Sequence, residues 1–66
     1  MLSNIEKLEC TLIKHGIKAY HTSEYPITNL ICEVNGSTFE FTLLENDVCD
    51  WTRTLRKVLE SIQKNI

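Results

Sequence analysis

A chain of 66 residues with a net charge of −2 has room for one core, so it is expected to be a single domain, 1–66, that buries about 60% of its unfolded surface and is only marginally stable. Its three cysteines, Cys10, Cys32 and Cys49, are an odd set with no C-x-x-C pair; they exclude a disulfide framework and read as reduced thiols in the cytoplasm. No apolar run approaches the ~18 residues of a membrane span, and Met1-Leu2-Ser3-Asn4 lacks the basic and apolar regions of a signal peptide.

Ser3-Asn4-Ile5-Glu6 fits the S-x-x-E capping box, in which side chains at both ends satisfy free amides at a helix start. The helix it opens is expected to run to about His15, with Ile5, Leu8 and Leu12 on one stripe flanked by Leu2 and Ile13. Gly16 follows where a left-handed residue ends a helix at least cost, and Ile17 is placed to touch Leu12, as in a Schellman ending. From Ile17 to Thr22 the sequence alternates Ile17/Ala19/His21 with Lys18/Tyr20/Thr22, the period of a short strand. Thr22 to Pro26 reads as a loop, with Pro26 holding Tyr25 extended before the next strand.

Ile27 to Leu44 reads as two strands joined by Asn35-Gly36, the strongest short-range signal for a two-residue hairpin, because both central residues of a type I′ turn need φ > 0. That turn fixes the register. Val34, Cys32, Leu30 and Thr28 fall opposite Ser37, Phe39, Phe41 and Leu43 on one face. Glu33, Ile31, Asn29 and Ile27 fall opposite Thr38, Glu40, Thr42 and Leu44 on the other. A register taken from the turn alone thus sorts most large apolar groups to one side, as a half-buried antiparallel sheet requires. Asn46 or Asp47 is expected to cap a second helix reaching toward Lys64, with Val48, Trp51, Leu55, Val58, Leu59 and Ile62 on its apolar face. The expected fold is α+β, an αβββα two-layer sandwich in which a three-stranded meander carries two helices on one face and buries Trp51, Phe39, Phe41 and the aliphatics.

Little in this sequence supports catalysis. The only glycines, Gly16 and Gly36, are spent on a cap and a turn, which leaves no phosphate loop. The cysteines and histidines have no metal-ligand spacing, Cys32 reads as a small core residue, and His15 sits where a cation complements a helix C-terminus. The expectation is a protein that is not an enzyme and needs no cofactor or metal.

Charge is unevenly spread. Residues 17–50 hold Glu24, Glu33, Glu40, Glu45, Asp47 and Asp50 against Lys18 alone, whereas the last sixteen hold Arg53, Arg56, Lys57 and Lys64 against Glu60. Such asymmetry speaks to partners rather than to fold. The order α-β-β-β-α is also the plan of the double-stranded RNA-binding domain, but that family grips phosphate with a lysine-rich start to its last helix. Here that place reads Glu45-Asn46-Asp47-Val48-Cys49-Asp50, which repels phosphate. The family's Gly-Pro-x-His loop is replaced by Ser23-Glu24-Tyr25-Pro26. Direct nucleic-acid binding is therefore the alternative reading, together with a homodimer that hides Tyr20 and Ile31 at its own interface.

The acidic surface has a sharper reading, in which spaced carboxylates imitate DNA phosphates and fill the basic groove of another protein. Glu33 and Glu40 are expected as diagonal neighbours on the exposed sheet face beside Tyr20, with Glu45, Asp47 and Asp50 grouped at a helix start. In this the chain resembles the small phage-encoded type II-A anti-CRISPR proteins, which sit on the PAM-reading site of an RNA-guided nuclease. The resemblance runs through the opening helix and strand, Ile27-Thr28-Asn29-Leu30-Ile31-Cys32-Glu33-Val34-Asn35, the strand Thr38 to Thr42, and the acidic Glu45-Asn46-Asp47. In those inhibitors the hairpin turn is acidic, whereas Asn35-Gly36-Ser37 is uncharged, so Glu40 alone matches by position and Glu45, Asp47 and Asp50 match by charge. The resemblance implies a cytoplasmic phage or mobile-element inhibitor that binds a host defence nuclease through Glu40, Glu45, Asp47 and Asp50, with no membrane involved, and the exposed sheet face adds Glu33 and Tyr20 to the expected partner-binding set.

Overall fold

A computed structural model describes residues 1–65. It contains α1 (Asn4–Lys14), β1 (Lys18–Glu24), β2 (Ile27–Val34), β3 (Ser37–Leu43), α2 (Glu45–Cys49) and α3 (Trp51–Lys64). At the start of α1 both arms of the capping box are made: Ser3 N–H donates to Glu6 Oε1 at 2.9 Å, and Glu6 N–H donates to Ser3 Oγ at 3.3 Å. Holding those bonds favours the charged carboxylate, so the backbone amide of Ser3, then its hydroxyl, lowers the Glu6 pKa. The helix ends as a Schellman motif. Gly16 sits at φ 81°, its N–H meets the Ile13 carbonyl, and Ile17 N–H reaches back to the Leu12 carbonyl, each at 3.0 Å.

The sheet has the order β1-β2-β3, antiparallel throughout. Asn35 at φ 52° and Gly36 at φ 80° make the tight turn. The register pairs Val34 with Ser37, Cys32 with Phe39, Leu30 with Phe41 and Thr28 with Leu43, as the turn chemistry requires. β1 is longer than its alternation suggests. Pairing with β2 continues from Lys18–Glu33 to Glu24–Ile27, so the expected loop contracts to the two residues Tyr25 and Pro26. The backbone ladder, which is blind to side chain, carries Ser23 and Glu24 into the strand beyond Thr22.

The second helix is two helices. Leu44, not Asn46 or Asp47, is the N-cap of α2, and its N–H donates to Asp47 Oδ2 at 2.9 Å. Asp50 then leaves helical geometry at φ −99°, ψ 55°. Thr54 mends the break: its hydroxyl donates to the Asp47 carbonyl at 2.6 Å.

Both helical segments lie on one face of the sheet. Leu8 and Leu12 from α1, and Val58 and Ile62 from α3, close over Leu30, Cys32, Ala19 and Leu43, with Ile17 at the edge. Each fully buried leucine contributes about 1.5–3 kcal/mol from apolar burial. The aromatics expected at the centre are only half-buried: Phe39, Phe41 and Trp51 pack against this cluster from its margin. Phe39 and Phe41 belong to an edge strand, which leaves one flank of each ring open. Leu2 and Ile13, expected to flank the stripe of α1, are exposed.

Candidate protein-binding surface

Strand alternation puts Lys18, Tyr20, Thr22 and Glu24 of β1, Ile27, Asn29, Ile31 and Glu33 of β2, and Thr38, Glu40 and Thr42 of β3 on the side away from the helices. None of these residues is buried. The register arranges them in cross-strand rows: Lys18–Glu33–Thr38, Tyr20–Ile31–Glu40 and Thr22–Asn29–Thr42. In the last row Thr42 Oγ1 donates to Asn29 Oδ1 at 3.3 Å. Tyr20 and Ile31 form a low apolar ridge at the middle of the face, with Glu40 at one end and Glu33 on its diagonal.

Tyr20, Glu33 and Glu40 converge. Partial desolvation raises the Tyr20 phenol above its usual range, and the nearby negative charges of Glu33 and then Glu40 add to this. Across the strand from Glu33 stands Lys18, which offsets part of the negative charge at that end. The face therefore offers an exposed aromatic ring, an aliphatic ridge and two carboxylates on the rigid backbone of a sheet. Such a surface suits a partner bearing positive charge.

Of the other acidic residues of the expected set, Asp47 shares a cleft between β3 and α3 with Glu40, whereas Glu45 and Asp50 line other hollows. Glu45 lines a hollow of about 260 Å³ beside the Tyr25-Pro26 turn, with Ile27 and Val48. Asp47 is committed to the Leu44 amide. Asp47 and Asp50 share a groove with Arg53 and Lys57, so acid and base are mixed there rather than segregated. The expected division holds: Tyr20, Glu33 and Glu40 share the sheet face, and Glu45, Asp47 and Asp50 stand at the start of the helical segment.

Two contacts have no sequence signal of their own. His21 Nδ1 meets Glu9 Oε1 at 2.9 Å, tying the helix-facing side of β1 to α1. Thr54 is buried beneath the α2–α3 break; a hydrophobic residue at that helical position would have been the conventional marker of burial.

Cys10 and Cys49 are exposed, whereas Cys32 lies within the core, where burial pushes its thiol pKa up to about 11. Among the described residues no group of three or more His, Cys, Asp and Glu is placed to hold a metal ion, and no helix is long and apolar enough to cross a membrane. Compared with protein-family models, curated proteins and solved structures, the chain matches none.

Proposed function

We propose that this protein is a small cytoplasmic, non-enzymatic inhibitor, carried by a phage or mobile element. It binds a host defence nuclease, most specifically a CRISPR effector, at the basic surface that otherwise receives nucleic acid. The observation that supports this reading is the uncovered sheet face on which Tyr20, Glu33 and Glu40 converge. The resemblance in chain order and acidic placement supplies the identity of the partner. In this reading carboxylates at fixed cross-strand spacing meet arginine or lysine side chains, and Tyr20 and Ile31 supply the apolar contact that holds the complex.

The test is charge reversal on the sheet face. The Glu33→Lys, Glu40→Lys double variant is titrated against the guide-loaded nuclease at two salt concentrations. Binding should weaken, and its dependence on salt should flatten, because fewer charges meet across the interface. Unchanged affinity at both salts would remove the acidic face from the mechanism.

A further inference from the structure

The two edges of the sheet are not equivalent. On the helix side, β1 is joined to α1 by the 2.9 Å contact between His21 and Glu9. Among the described residues no side-chain hydrogen bond or ion pair joins β3 to a helix. Between β3 and α3 runs a cleft of about 320 Å³ whose apolar walls are the half-buried Phe41 and the buried Leu43 and Val58, with Asp47, Thr54, Lys57 and Ser61 on its polar side.

The register shows which backbone groups of β3 are free. A two-residue hairpin closes on a hydrogen-bonded pair, here Val34–Ser37, and antiparallel pairs alternate from there. Thr38, Glu40 and Thr42 therefore face β2 in non-hydrogen-bonded pairs and turn their own N–H and C=O groups outward. β3 has seven residues, no proline and no lysine, and carries one charge, Glu40, at its middle. An edge of this kind is a template for another strand.

We propose that β3 accepts an extended segment of the partner protein as a fourth strand, with a lysine or arginine opposite Glu40 and small aliphatic side chains in the cleft beside Phe41 and Val58. Alternation sends every second side chain of the incoming strand to the open face and the others to the cleft. This deepens the function proposed above and rests on it only in taking the partner to be a protein. A second copy of the chain is the poorer occupant, because β3 centred against β3 sets Glu40 opposite Glu40, and like charges directly opposite destabilise a pair.

The probe is the capped peptide acetyl-Thr-Val-Lys-Val-Thr-amide, followed by backbone amide shifts and hydrogen exchange of the full chain. Shifts should map to β3 and the β3–α3 cleft. The Thr38, Glu40 and Thr42 amides should exchange about tenfold more slowly when roughly nine-tenths of the protein carries peptide, while the β1 amides stay unchanged. Peptide N-methylated on the lysine backbone should not bind, and peptide with glutamate for lysine should bind more weakly. Shifts confined to β1 or the helices, no shifts, or equal binding of the N-methylated peptide would overturn the proposal. So would protection of β3 that grows with protein concentration in the absence of peptide, which would make a second copy the occupant. If charge reversal abolishes nuclease binding while the β3 amides stay unprotected in that complex, the edge proposal fails and the inhibitor reading stands.

Discussion

The hydroxyl of Thr54 donates to the backbone carbonyl of Asp47 at 2.6 Å, across the point where Asp50 interrupts the helical path. The break leaves a carbonyl that a continuous helix would have bonded, and Thr54, itself buried, takes it. Thr54→Val keeps the shape and removes the donor. It should lower the unfolding free energy by about 1–3 kcal/mol, the cost of an unsatisfied buried polar group, and Thr54→Ser should recover part of that. Urea unfolding of the three proteins is the measurement; a valine variant as stable as the parent would show that water serves the carbonyl equally well.

The glycines isolate a backbone effect from a packing effect. A Cβ at Gly16 or Gly36 meets nothing within 4 Å, yet both residues sit at φ near +80°. Gly16→Ala and Gly36→Ala should each therefore cost about 1–2 kcal/mol through backbone conformation alone. Thermal unfolding should show similar losses for the two. A much larger loss at Gly36 would mean that the hairpin register slips as well.

How legible this fold was depended on whether one short signal could decide a whole element. Asn35-Gly36 fixes the β2–β3 pairing because a turn with two positive φ angles admits one register, and the face that carries Glu33 and Glu40 follows from it. Ser3, Glu6 and Gly16 likewise announce both ends of α1. The far end of β1 has no sequence signal because Ser23 and Glu24, like Thr22 before them, are polar on both faces and hold their place by backbone pairing. The break at Asp50 was hidden because Val48, Trp51 and Leu55 keep helical spacing straight across it. Asp47 was correctly placed at a helix start but in the wrong role: its carboxylate reaches back to Leu44 from the third helical position. The Glu9–His21 contact needed the position of α1 over β1, which no local pattern encodes.

Alkaline pH should act through Cys32. Its folded pKa, raised by burial to about 11, lies above the ordinary value of 9.0, so the folded state holds a proton that the unfolded chain releases. The resulting stability is fully present below pH 9 and is lost as pH rises toward 11, by about 1.4 kcal/mol per pH unit in that window. Cys32→Ala removes this titration. Unfolding free energies measured from pH 8 to 10.5 should fall less steeply in the variant, and parallel slopes would contradict the assignment.

Stability and recognition should separate among the acidic residues. Asp47 satisfies the Leu44 amide at the start of α2, so Asp47→Ala should cost about 1 kcal/mol, the usual net worth of one such hydrogen bond. Glu40 is exposed and stands diagonally from Glu33, opposite Ile31. Glu40→Lys exchanges a repulsive diagonal for an attractive one and should leave stability unchanged or raise it by a few tenths of a kcal/mol. Glu33→Gln gives up the cross-strand attraction of Lys18 but relieves the same repulsion, so it should be close to neutral. Urea midpoints at low and high salt decide the matter, since the Glu40→Lys gain should shrink as salt rises while the Asp47→Ala loss persists. A Glu40→Lys variant as damaged as Asp47→Ala would mean that Glu40 serves the fold, and the sheet face would lose its claim to be a surface kept free for a partner.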